Sequence, residues 1–207
     1  MKIAIVVVSA LLVLFIVFQM YISMVTNKSE QQAYKVIRKE KEFEIRYYPA
    51  AVMAKISSSS KSYRDLGYSG FGKLAKYIFG GNSEQKQIAM TSPVHMDIGD
   101  TVATMAFVMP AKFKKEDLPK PDNTAIQLEV AAAEYVAALQ FDGFANTASI
   151  DKNKALLKKQ LTAKGISFYG NFRFLGYNPP YQLFGRRNEV IVSVNFTETT
   201  VQPSVIK

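Results

Sequence analysis

The stretch Phe43–Ile56, FEIRYYPAAVMAKI, decides how this chain folds. Phe43, Ile45 and Tyr47 are apolar at odd positions; after Tyr48-Pro49 the rhythm moves to even ones, at Val52, Ala54 and Ile56. Alternation with period two is the pattern of a strand with one buried face, and a parity shift at a proline marks a bulge or bend in it. A helical period takes over at Tyr63–Phe79, with Leu66, Phe71, Leu74, Ala75 and Ile78 at helical spacing and Gly80-Gly81-Asn82 as the stop. Two strand-like runs follow, Gln87–Ile98 and Thr101–Met109. The same order then recurs. In Ile126–Phe141, IQLEVAAAEYVAALQF, the alternation slips again, from Ile126, Leu128 and Val130 to Tyr135, Ala137, Leu139 and Phe141. A helix patterned on Ile150, Leu157 and Leu161 precedes the runs Phe168–Tyr177 and Glu189–Phe196. Each half therefore reads β-α-β-β with a kinked first strand. Two such units predict an α+β domain, an antiparallel sheet with two helices packed on it. Neither helix is long enough to persist in water without that sheet.

Ahead of the repeats lies a different kind of segment. Ile3–Val25 carries no charge and is long enough to cross a hydrocarbon core of about 30 Å. A cleaved signal peptide has an apolar core of only about 7–15 residues and ends at a small-x-small site; the run here is longer and Tyr21–Val25 offers no such site. The expected organisation is a single-pass transmembrane anchor at 1–26, a polar juxtamembrane linker at 27–42 and the domain at 43–207. Lys2 precedes the span, whereas Lys28, Lys35, Arg38, Lys39 and Lys41 follow it, which favours a cytoplasmic domain. A lysine before an apolar run also begins exported proteins, so both sides of the membrane stay open.

Composition removes most chemistries. The 207 residues include no cysteine and one histidine, His95. Disulfides, zinc–thiolate sites, iron–sulfur clusters and cysteine nucleophiles are thereby excluded. Gly67-Tyr68-Ser69-Gly70-Phe71 does not fit G-x-S-x-G, and the chain holds no H-E-x-x-H, P-loop or G-x-G-x-x-G. Asp97 and Asp100, beside a turn, read as solvated carboxylates. A non-catalytic protein is the expectation. Net charge is +9, but the basic residues are scattered, which argues against nucleic acid as a partner. What the chain has in quantity is soft apolar surface: 8 Met, 14 Phe and 11 Tyr. Methionine fills core gaps or adapts to flat ligands. Gly67, Gly70 and Gly72, each unfavourable in a helix, fit where backbone approaches a sheet or a ligand closely. In Lys86–Val94, KQIAMTSPV, the even positions Ile88, Met90 and Val94, continued by Met96 and Ile98, should face the core. His95 has the opposite parity and reads as an exposed strand histidine.

Five stretches, taken in order, resemble the SOUL haem-binding protein family: FEIRYYPAAVMAKI, FGKLAKYIFGGN, KQIAMTSPV, FVMP with LPKP, and YNPPYQLFGRRNEVIV. The resemblance covers about residues 42–197. It implies two βαββ repeats forming a distorted barrel-like sheet with flanking helices. It also implies haem or a related porphyrin bound in an apolar cleft, with no catalysis common to the family. Thr91-Ser92-Pro93 is then expected as a bulge in a sheet strand. A porphyrin is flat, apolar and carries two carboxylates, so it needs an apolar wall with cations at one rim. The first domain helix offers Phe71, Leu74 and Ile78 as wall and Arg64, Lys73 and Lys76 as cations. His95 is the candidate metal ligand, although its parity turns it from the apolar face. Gln182 stands where a basic residue would have helped, and Arg187 and Glu189 are expected to serve the final hairpin. The function expected is a membrane-tethered haem carrier or buffer. The alternative is a regulatory or interaction module of the related double-βαββ fold, taking other apolar molecules or a protein partner that the sequence does not name.

Overall fold

The computed structural model describes residues 2–59, 62–99 and 102–196, so Asp100, Thr101 and the end of the expected domain lie outside the described residues. The chain runs α1 (Lys2–Lys28), β1 (Lys35–Lys39), β2 (Glu44–Tyr48), β3 (Ala51–Ser58), α2 (Tyr63–Ile78), β4 (Val94–Ile98), β5 (Ala103–Val108), β6 (Ile126–Ala131), β7 (Glu134–Asp142), α3 (Thr147–Ala163), β8 (Phe168–Gly176) and β9 (Arg187–Val194). Both parity slips are bends in the backbone. β2 and β3 are the halves of one kinked strand, broken at Pro49-Ala50, and β6 and β7 are the halves of the other. The two kinked strands pair antiparallel in one unbroken register, Glu44 opposite Ala138, Tyr48 opposite Glu134, Ala51 opposite Ala131 and Ile56 opposite Ile126. They bend together. The sheet order is β1-β2-β7-β9-β8-β4-β5-β3-β6. Because β3 continues β2 and β6 continues β7, the two ends of that order meet and the sheet curls into a barrel-like shell.

The parity slip puts the right residues on one face. Phe43, Ile45, Ala54 and Ile56 share the main core with Ile126, Ala137 and Leu139, before and after each kink. On this face α2 packs Leu66, Leu74, Tyr77 and Ile78 against β3, β4 and β5, and α3 packs Ile150, Leu157 and Leu161 against β7, β8 and β9. Met96, Met105 and Met109 are core here; Met90 remains half-exposed. α2 ends where Gly80 takes a positive φ of 105° and the buried Asn82 side chain donates to the Tyr77 and Lys86 carbonyls.

The second face carries a smaller cluster, Tyr48, Val136, Ala138, Leu175, Tyr177 and Ile191, with Tyr34 packed on it. Tyr34 belongs to the segment expected as a linker. That segment is instead woven into the sheet: β1 pairs with β2, the Ser92 N–H donates to the Glu30 carbonyl, and the Gln32 N–H donates to the Ser92 carbonyl. Residues 29–39 thus form a strap over the second face. The expected bulge at Thr91-Ser92-Pro93 is corrected by the same contacts. Ser92 uses its backbone on the strap, the Ser92–Pro93 peptide is cis, and β4 begins only at Val94.

Candidate functional site

α2 starts at Ser62, whose side chain accepts from the Asp65 N–H and so satisfies one of the helix's free donors. Its core stripe is Tyr63, Leu66, Gly70, Leu74, Tyr77 and Ile78. Gly70 is a true close approach: a Cβ there would lie 3.3 Å from Met105 Sδ and 3.5 Å from Ile56 Cγ2. Gly67 and Gly72 are different, since a Cβ at either meets nothing within 4 Å. At 3.6 residues per turn, Phe71 shares its flank with Arg64, Gly67, Tyr68 and Ala75, at i−7, i−4, i−3 and i+4. Phe71 is 37% exposed and packs edge-on against Phe107, with ring centroids 5.2 Å apart. Tyr68 is 77% exposed, and the Arg64 guanidinium lies 5.8 Å from its ring centroid. The result is a solvent-facing strip, apolar and aromatic, lowered by two glycines, with Arg64 over its tyrosine.

This arrangement separates the residues singled out in the sequence. Arg64 and Phe71 come together. Leu74 and Ile78 do not join them, because both are fully in the core and offer no wall to a ligand. Lys73 is exposed away from the strip, and Lys76 is exposed one turn beyond Gly72, at i+4. His95 lies on the opposite face of the sheet, since Met96 beside it packs into the core that holds α2. The expectation of an exposed strand histidine is corrected: only 7% of His95 is accessible. Its cover is the strap, where Gln32 Oε1 sits 2.7 Å from Nε2. With that oxygen as acceptor, the ring is the Nε2–H tautomer and that nitrogen is engaged. Burial, aided by the charge of Arg173, pushes the imidazole down to about 3.

Beside His95 lies an ionic network that local sequence patterns do not reveal. Glu189 Oε2 accepts from Arg46 (2.8 Å) and from the Tyr177 hydroxyl (2.9 Å), while Oε1 accepts from Arg187 Nε and a terminal nitrogen at 3.0 and 2.7 Å. The Arg46 guanidinium stacks 4.3 Å from the Tyr34 ring centroid, and Arg187 stacks 4.0 Å from that of Tyr177. Burial alone would raise the Glu189 carboxyl; the two guanidiniums reverse the sign and hold it below its usual range. Burial raises both Tyr48 and Tyr177, so these hydroxyls stay protonated. Arg187 also receives hairpin support through Asn178 Oδ1, which accepts from its N–H. Its side chain, however, serves the network. Across β9, Arg173 of β8 grips Glu134 of β7 with two bonds of 2.8 Å. Every one of these charges has a partner.

A shallow groove of about 280 Å³ opens at the β1–β2 turn, lined by Lys39, Glu40, Lys41, Glu42, Phe43 and Gln140 among others. Its charged rim does not suit a flat apolar ligand, whose sites are lined mainly by apolar and aromatic side chains.

Related sequences agree with the extent of this structure. A family model described as SOUL heme-binding protein matches residues 29–193, from the first residue of the strap to the last turn of pairing in β9. Heme-binding protein 1 of Xenopus laevis is 30% identical over 156 residues, covering 72% of this chain and 81% of that protein. Heme-binding protein 2 of Homo sapiens is 30% identical over the same length, covering 72% and 76%. Among solved structures, the EcmrR C-terminal domain superposes with a TM-score of 0.57 over 79% of this chain and 99% of that one. At 9% identity that likeness concerns the fold alone. With two βαββ repeats, a curled antiparallel sheet and a family match over most of its length, the chain belongs to the SOUL heme-binding protein family.

Proposed function

We propose that this protein is a membrane-tethered carrier or buffer of haem or a related tetrapyrrole, and that it is not a catalyst. The observation that carries the reading is the α2 flank. Gly67 and Gly72 leave the helix backbone open beside the exposed rings of Tyr68 and Phe71. A flat macrocycle fits against such a strip, where a Cβ at either glycine would stand it off. Arg64 edges the strip and supplies a cation for a propionate. The family and the names of its relatives give the ligand class. The second face supports no rival ligand: Glu189 and Glu134, which would attract an apolar cation, are each held by arginine. α1 is long and apolar enough to cross a membrane, and its outer face is bare; it serves as the tether.

The test is a haem titration followed by absorption spectra, on the parent chain and three variants. Phe71→Ala removes aromatic contact worth about 1.5–3 kcal/mol when fully buried, so binding should weaken about tenfold or more. Arg64→Ala should weaken it less, because an exposed cation contributes under about 1 kcal/mol. His95→Ala should change affinity by less than about tenfold, since the ring is on the far face of the sheet. A sharp Soret band lost only in His95→Ala, with binding about a hundredfold weaker, would replace this site with an iron ligand on the second face.

A further inference from the structure

The connection between β8 and β9 is built inside out. Gln182 is buried at 1% exposure and its amide donates to the Phe184 carbonyl. The Arg186 guanidinium donates to the carbonyls of Asn178, Pro179 and Gln182. These polar side chains fill the loop's interior. The apolar ones point outward: Tyr181 is 59%, Leu183 41% and Phe184 68% exposed, and Phe144 from the β7–α3 connection, lying under Arg186, is 54% exposed. Loops in water place these classes the other way round.

The loop is also fastened to α1. Gln19 is the one amide in the apolar run, and it is buried. Its Nε2 donates to the Tyr181 carbonyl at 3.2 Å, and its Oε1 accepts from the Leu183 N–H at 3.0 Å. With Ile22, Gln19 forms the buried face of the helix, while Met20, Tyr21, Met24 and Val25 face outward at more than 50% or close to it. The contact fixes the level of the loop along the helix. The part exposed on every side, Ile3 to Phe18, spans about 24 Å at 1.5 Å per residue. A bilayer core needs about 30 Å. The missing turn is the one at Gln19–Ile22, which is where the aromatic loop sits. Tyrosine and other amphipathic rings concentrate at that depth, between acyl chains and headgroups.

We infer that the loop Tyr181–Phe184, together with Phe144, is a second membrane contact that inserts into the interfacial layer of a phospholipid bilayer beside α1. This rests on the reading of α1 as a tether. One span alone would leave the domain free to pivot where α1 meets the strap; the loop and the Gln19 bonds fix it in one pose against the bilayer. The span supplies the attachment and the loop supplies the orientation.

The chain contains no tryptophan, so each introduced tryptophan is a single reporter. The full-length protein is reconstituted in phosphatidylcholine vesicles carrying bromine at defined acyl positions. Phe184→Trp and Tyr181→Trp report the loop, Phe15→Trp the span, and Tyr169→Trp the far end of the β8–β9 hairpin, where Tyr169 pairs with Ser193. The expected result is blue-shifted emission from both loop reporters, quenching by bromines near the headgroups and loss of quenching by aqueous iodide. Phe15→Trp should be quenched by deep bromines and Tyr169→Trp by iodide alone. Loop reporters that respond to iodide and not to bromolipid, with Phe15→Trp still quenched, would overturn the inference and leave the loop as a surface for a protein partner. An unquenched Phe15→Trp would remove the tether and the inference with it.

Discussion

His95 is neutral because water is kept from it, and that has a consequence in acid. Its folded pKa is pushed down to about 3 by burial and by Arg173, below the ordinary value of about 6.5. Between those values the unfolded chain binds a proton that the folded chain refuses. The stability associated with a neutral His95 is therefore complete above about pH 6.5 and is lost as pH falls toward 3, at up to about 1.4 kcal/mol per pH unit. Urea unfolding of the parent and of His95→Gln between pH 7 and 4 should give curves that diverge as the acid rises, the variant having the shallower slope; parallel curves would place the histidine in water. Glu189 is the reciprocal case, an acid whose removal strands two cations. Glu189→Ala should cost about 3–5 kcal/mol, the range for breaking a buried pair from one side. Arg187→Ala, which leaves Arg46 on the carboxylate, should cost less and should lower the melting temperature without changing haem affinity more than about threefold. An Arg187 variant of unchanged stability and lost binding would make this arginine a ligand contact.

On the scale of a helix, the three glycines of α2 have two different jobs. Gly70 lets the helix approach β5, and replacing it with valine should cost about 1–3 kcal/mol through overpacking against Met105. Gly67 and Gly72 face open space, so alanine at either should stabilise the domain by up to about 1 kcal/mol. The same alanines should weaken haem binding if the strip takes the macrocycle. A gain in melting temperature with unaltered titration curves would move the ligand elsewhere. The elements themselves were legible because their signals are local: a parity slip at Pro49, a second within the alanine run at 131–133, and helical stripes ending in glycine. The orientation of α2 was legible only in part, since Leu74 and Ile78 sit on the same stripe as Leu66 and belong with it in the core. β1 was missed because a five-residue strand of sequence KVIRK has too few apolar positions to show a period. The second face was not legible at all. Gln32 covers His95 across 63 residues and Arg46 meets Glu189 across 143; no local period encodes such a pairing.

For the whole molecule, the question is where the domain begins. The strap adds β1 to an edge of the sheet, pairs with Ser92, covers His95 through Gln32 and stacks Tyr34 on Arg46. Glu30 Oε1 also accepts from the Ala111 N–H at 2.6 Å. None of these contacts needs α1. Deleting residues 1–25 should therefore give a folded, soluble domain with the parent's unfolding transition. Deleting residues 1–42 removes the strap as well. It leaves β2 as an open edge, a template for pairing between chains, and uncovers a histidine and two arginines placed for a dry environment. The longer deletion should unfold at a lower urea concentration and self-associate, both read by equilibrium unfolding and sedimentation. It should also shift the titration of His95 toward the ordinary imidazole range, which a proton-detected pH series on the single histidine would follow. Equal stability for the two deletions would return residues 27–42 to the status of a linker. A large difference would mean that the chain leaves α1 already committed to the sheet, so that any movement of α1 against the domain is carried through the strap to the Arg46–Glu189 network.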